Sequence, residues 1–104
     1  MKRIIVTGCN GQLGRAVNQQ YAGSTEYELV NTDVGELDIT KVDEVLKLAR
    51  EVKPYAIINC AAYTNVDKCE TEPDLAYKIN AVGARNLAIA ASDTGAKLMH
   101  ISTD

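Results

Sequence analysis

Tryptophan and phenylalanine are absent from this 104-residue chain and tyrosine occurs only five times, so its core has to be built from Val, Ile, Leu and many Ala. Small aliphatic side chains of that kind suit helices packed closely on a sheet. A basic excess is lacking too: 11 Lys and Arg stand against 14 Asp and Glu, a net charge of −3. With no basic stripe, a nucleic-acid partner is not expected. No apolar run approaches the roughly 20 residues that span a bilayer, so no membrane partner is expected either. The N-terminus reads as a strand and has no signal-peptide layout, which points to the cytoplasm. The three cysteines, Cys9, Cys60 and Cys69, form no Cys-x-x-Cys pair, and the only histidine is His100. With an odd cysteine count, neither a structural disulfide nor a His/Cys metal site is expected. Cys60 and Cys69 read as small packing residues, and His100 as a partly buried strand residue.

Against these absences the chain has a regular alternation. Arg3-Ile4-Ile5-Val6-Thr7 is a continuous apolar run, as in a parallel strand covered on both faces. Leu13, Val17 and Tyr21 recur at helical spacing from Gln12 to about Ala22, and Gly23 can end that helix. Tyr27 to Thr32 is a second strand. Thr40 is placed to cap the next helix with Asp43 returning the bond, and Val42, Val45, Leu46, Ala49 and Val52 line one face before Pro54. Tyr55 to Cys60 is a third strand, followed by the small-residue turn Ala61-Ala62. A long helix starts at Pro73, passes Leu75, Ile79, Val82 and Ile89, and stops before Gly95. Lys97 to Ser102 is a fourth strand.

This βαβαβαβ order predicts an α/β, Rossmann-type doubly wound parallel sheet with right-handed crossovers, with strand order 3-2-1-4. One domain accounts for residues 1–104.

The loop behind the first strand carries the chemistry. Gly8-Cys9-Asn10-Gly11-Gln12-Leu13-Gly14 has the spacing Gly-x-x-Gly-x-x-Gly rather than the commoner Gly-x-Gly-x-x-Gly. A strand that breaks into glycines and opens a helix lets the backbone approach a pyrophosphate and offers it free N–H groups. Asp33, about 20 residues on at the end of the second strand, is where a ribose hydroxyl meets a carboxylate in dinucleotide-binding folds. The residues ending the strands, Thr7-Gly8, Thr32-Asp33, Cys60-Ala61-Ala62 and Ser102-Thr103, are small, polar or acidic. They gather where ligands sit in such sheets.

The segments Thr7-Gly8-x-x-Gly11-Gln12-Leu13-Gly14, Leu37-Asp38-Ile39-Thr40, Asn59-Cys60-Ala61-Ala62-Tyr63-Thr64-x-Val66-Asp67-Lys68-x-Glu70, Asn80-Ala81 and Ile101-Ser102-Thr103-Asp104 resemble the dTDP-4-dehydrorhamnose reductase family of extended short-chain dehydrogenases/reductases. The resemblance implies reduction of the 4-keto group of a dTDP-sugar by NADH or NADPH. It places Gly8, Gly11 and Gly14 around the pyrophosphate, with backbone N–H groups from Gln12 and Leu13. It puts Asp33 near the adenosine ribose, Asp38 and Ile39 beside the adenine, and Cys60, Ala61, Ala62 and Tyr63 along the cofactor. Thr103 matches the catalytic hydroxyl that hydrogen-bonds the substrate carbonyl oxygen. Read without the resemblance, Asp38 is also a candidate for favouring the dipole of the next helix, Asn80 for a polar bridge between the long helix and a loop, and Thr103 for an ordinary strand-end hydroxyl.

The family's Tyr-x-x-x-Lys is not in the chain. Tyr21, Tyr27, Tyr55, Tyr63 and Tyr77 are followed four residues later by Thr25, Asn31, Asn59, Asp67 and Ala81. The expectation is therefore the N-terminal cofactor-binding part of a reductase whose substrate domain lies elsewhere, inactive by itself and inclined to form a homodimer. The alternative is a non-catalytic NAD(P)-binding module like the regulatory subunit of methionine adenosyltransferase. Asp33, with no arginine in Val34-Gly35, leans toward NADH over NADPH.

Overall fold

A computed structural model describes residues 2–33, 35–60 and 73–100, with side chains described for all of these except 73–79. The elements run β1 (Lys2–Thr7), α1 (Gln12–Tyr21), β2 (Tyr27–Thr32), α2 (Val42–Val52), β3 (Ala56–Asn59), α3 (Pro73–Thr94) and β4 (Lys97–His100). Every strand pairing is parallel, with Ile5 beside Val30 on one side and Ile57 on the other.

The strand order is β2-β1-β3-β4 and not the expected 3-2-1-4. The chain leaves β2, forms no strand among the described residues before α2, and crosses back over β1 to join its far edge. Burial explains the choice. Ile57, Ile58 and Asn59 of β3 are all buried, so the strand is covered on both faces and belongs inside the sheet. Tyr27-Glu28-Leu29-Val30-Asn31-Thr32 mixes polar with apolar residues and is mostly half-buried or exposed, as at an edge. Reversal of direction at β1 makes the crevice between β1 and β3 the switch point, where doubly wound sheets bind ligands.

The two faces of the sheet hold separate cores. Ile5 and Ile57 point toward α2 and α3, where Leu37, Val45, Ala49, Leu87, Ala90 and Ala91 pack on them. Ile4, Val6, Ile58 and Cys60 point the other way, against Leu13, Val17 and Tyr21 of α1. On α2 the apolar face is as the spacing predicts. The cap is not: Lys41 is the N-cap residue and no side chain caps the helix, because Thr40 bonds Asp38 instead. Gly23 and Gly95 follow α1 and α3 at φ 81° and 73°, a left-handed backbone that stops a helix at little cost. Ile89 is 42% exposed, and the buried side of α3 is made by Gly83, Asn86, Leu87, Ala90 and Ala91. His100 is exposed rather than partly buried, with its ring Nδ1 2.8 Å from Asn59 Nδ2.

Among the described residues no helix is long and apolar enough to cross a membrane, and no group of three or more His, Cys, Asp or Glu is placed to hold a metal ion.

Candidate functional site

β1 ends in Thr7, and the backbone turns at Gly8 with φ 66°, a conformation that disfavours any side chain. Gly11 N–H donates to the Gly8 carbonyl at 3.1 Å and closes the loop. Cys9 N–H donates to the Thr32 carbonyl at 3.0 Å, tying the loop to the end of β2. Gly14 is buried in the first turn of α1. A Cβ there would strike the Gly8 carbonyl oxygen and stand 2.6 Å from Cys9 Cα, so only glycine lets the helix pack on the loop.

Gly11 is different. A Cβ at Gly11 would meet nothing closer than the Gly8 oxygen at 3.4 Å, so the protein's own packing does not demand a glycine. Gly11 is exposed and is the N-cap of α1, with no side-chain cap and no acidic residue in the first turn. The opening N–H groups of the helix, Gln12, Leu13 and Gly14 among them, lack intrahelical acceptors. Their partial positive charge has no carboxylate in that turn to offset it. An anion can therefore reach backbone N–H groups across a surface kept bare of side chains, which is the fit a dinucleotide pyrophosphate requires.

Asp33 follows β2 directly and is half-buried. Its carbonyl accepts from Glu36 and Leu37 N–H, both at 2.9 Å, and its own N–H donates to the Glu36 carboxylate. Burial raises the Cys9 thiol pKa, and the charges of Asp33 and Glu36 raise it further. Both carboxylates thus bear on the glycine loop, and Cys9 stays a thiol. Alongside, Cys9, Asn10, Arg15, Asn18, Gln19 and Asn31 line an open groove of about 450 Å³. Asn18 and Asn31 exchange two amide hydrogen bonds of 2.9 Å, fixing α1 to the end of β2.

Asp38 and Ile39 lie in the turn before α2. Asp38 Oδ1 accepts from Thr40 Oγ1 at 2.6 Å and Thr40 N–H at 3.0 Å. These bonds hold its carboxyl below the usual carboxylate range. Ile39 packs against the α2–α3 core, and its carbonyl accepts from Asn86 Nδ2 at 2.9 Å. Asn80, the residue singled out on α3 from sequence, is half-buried. The bridge from α3 to the Ile39 loop is made by Asn86, which sequence reading missed. Its signal was an Asn directly before the run Leu87-Ala88-Ile89-Ala90-Ala91, on the buried face of the helix.

Cys60 is buried against Ile4, Val6 and Ile58; burial raises its pKa, and its N–H donates to the Thr7 carbonyl at 3.2 Å. Beside it Thr7 Oγ1 donates to Asn59 Oδ1 at 2.7 Å, a buried bond across the ends of β1 and β3. The parallel topology thus brings Gly8, Gly11, Gln12, Leu13, Gly14, Asp33, Asp38, Ile39 and Cys60 to the carboxyl side of the sheet. Ala61, Ala62, Tyr63 and Thr103 lie outside the described residues, as does Cys69.

A family model described as the RmlD substrate binding domain matches residues 1–104. A dTDP-4-dehydrorhamnose reductase of Aggregatibacter actinomycetemcomitans is 42% identical over 104 residues, covering 100% of this chain and 35% of that protein. Among solved structures, a dTDP-4-dehydrorhamnose reductase of Clostridium acetobutylicum is 53% identical with a TM-score of 0.84, over 92% of this chain and 34% of that one. Another from Bacillus anthracis, in complex with NADP, is 49% identical with a TM-score of 0.86, over 94% and 35%. The chain therefore spans about a third of the length of the relatives it matches.

Proposed function

This chain belongs to the RmlD substrate binding domain family, and on that premise we propose that it is the N-terminal, dinucleotide-binding part of an NAD(P)H-dependent dTDP-4-dehydrorhamnose reductase. The observation that carries the reading is the start of α1: a bare Gly11, an uncapped first turn and no carboxylate in it, at the end of the central strand. Although the family description names substrate binding, the described residues are suited to a cofactor.

When bound, the reduced nicotinamide supplies the hydride for the 4-keto carbon of the dTDP-sugar. The chain's own part is to hold and orient. Backbone N–H groups of Gln12, Leu13 and Gly14 bind the pyrophosphate, Asp33 accepts from a ribose hydroxyl, and Asp38 and Ile39 hold the adenine. Small residues at Cys60, Ala61 and Ala62, with Tyr63, let the cofactor lie close to the sheet. Thr103 donates a hydrogen bond to the substrate carbonyl oxygen as negative charge develops there. Proton delivery belongs to a Tyr-x-x-x-Lys that these 104 residues do not contain. The sugar nucleotide is held by a further domain, consistent with relatives about three times as long. The protein acts in the cytoplasm and pairs as a homodimer. The regulatory-module alternative has no support in the relatives described above, which are named as reductases.

Calorimetric titration of the chain with NADH and NADPH tests this. Both are expected to bind, NADH at least as tightly, because the Asp33 and Glu36 carboxylates beside the loop disfavour a 2′-phosphate. No oxidation of NADPH above background is expected with dTDP-4-dehydrorhamnose. Failure to bind either nucleotide overturns the reading.

A further inference from the structure

Ile39 is gripped from behind by one face of α3. Asn86, 1% exposed, donates its Nδ2 hydrogen to the Ile39 carbonyl at 2.9 Å across 47 residues of sequence. One turn earlier Gly83 is buried where a Cβ would overlap the Ile39 side chain, standing 2.8 Å from its Cγ1. Residues three apart share a helix face, so Asn86 fixes the backbone of Ile39 while Gly83 makes room for its side chain. On the other side of the same peptide segment, Asp38 Oδ1 is occupied by the two bonds from Thr40. That leaves Oδ2 as the carboxylate oxygen for an outside donor. Asn86 Oδ1 has no hydrogen-bond partner among the described residues, an expensive arrangement for a buried amide that a leucine of similar volume would avoid. The amide is thus explained by what its nitrogen does.

From this geometry we infer that Asn86 is a positioning residue for base recognition: by holding the Ile39 carbonyl it sets where the Asp38 carboxylate meets the exocyclic amine of an adenine. The inference rests on the dinucleotide reading above and deepens it. Hydrogen bonds to a charged acceptor contribute about 1.5–3 kcal/mol, which corresponds to roughly ten- to hundredfold in affinity. A base with a carbonyl in place of that amine forfeits this and faces the carboxylate with a second acceptor.

The test compares NADH with reduced nicotinamide hypoxanthine dinucleotide, whose base carries that carbonyl, on the full chain and on Asn86→Ala and Asn86→Leu. Asn86→Leu keeps the buried volume, so it preserves a folded protein if the alanine variant does not fold; circular dichroism and thermal melting check both. The chain is expected to favour the adenine form by about tenfold or more. In either folded variant that ratio is expected to fall toward one, with affinity for the hypoxanthine form unchanged. A variant that weakens both dinucleotides equally, or that keeps the ratio, overturns the inference while leaving the dinucleotide reading intact. A chain that binds both forms equally refutes base recognition through Asp38, and with it the inference. Binding of neither overturns the dinucleotide reading and the inference together.

Discussion

Thr40 donates its hydroxyl to Asp38, two residues back, and leaves the helix ahead of it uncapped. This choice lowers the pKa of the carboxylate proposed to meet the adenine. A folded-state pKa lowered below the ordinary 3.8 means that ionised Asp38 is favoured by folding. Its contribution is full above that ordinary value and is lost as pH falls through the lowered one. Stability and base binding are therefore expected to be insensitive to Asp38 between about pH 5 and 8. Thr40→Val is expected to move the Asp38 pKa upward, toward 3.8, in a carboxyl NMR titration; an unchanged midpoint would show that the hydroxyl bond is not its cause. Gly14 offers a second check. The atoms that an added Cβ would strike are backbone, which cannot swing aside. Gly14→Ala is expected to lower stability by about 1–3 kcal/mol in urea titration, the usual cost of forcing extra volume into a packed site. Gly8 and Gly14 were legible as glycines in the sequence, but the three positions looked alike there. Only the packing separates Gly14, which the protein itself requires, and Gly8, bound by its φ, from Gly11, where the protein's own packing makes no such demand.

Among elements, α2 and α3 cover one face of the sheet and meet in two ways. At the surface Arg50 pairs with Asp93 through two contacts of 2.9 and 3.3 Å, raising the arginine pKa and lowering the aspartate's. Beneath it Leu87, Ala90 and Ala91 pack with Val45 and Ala49. Solvent and salt screen the exposed pair, whereas the buried contacts hold the helices to the sheet. Leu87→Ala is expected to cost about 2–5 kcal/mol, while Asp93→Ala leaves the urea midpoint close to that of the parent chain. The reverse order would place the helix–helix attachment at the surface. Periodicity in the sequence was sufficient to find each helix and strand within a residue or two, because spacing alone decides which residues can share a face; the end of the fourth strand, read to Ser102, lies outside the described residues. The α2 cap was misread because Thr40 had two acceptable roles, and the turn at Asp38 competed for its hydroxyl. Asn86 was missed because a polar residue within an apolar helical pattern does not reveal its partner when that partner is 47 positions away.

At the scale of the whole molecule, β4 pairs only with β3 among the described residues, and Leu98 and Met99 are 37% and 58% exposed. With Ile89 also exposed nearby in sequence on α3, this edge invites pairing with another chain. Sedimentation equilibrium is expected to show concentration-dependent self-association that Met99→Lys reduces; a monomer at every concentration would refute it. The sequence by itself determined the α/β class, the parallel sheet, the glycine loop and its acidic companion after β2, since these depend on local spacing and on residues next to one another in the chain. The tertiary structure alone decided that β3 lies beside β1 rather than beyond β2. It also decided that Gly11 stays bare and that Asn86 holds the loop of Ile39. Each of these depends on which surfaces meet: a strand covered on both faces must go inside, and a helix pattern does not say which edge of the sheet the next strand will join.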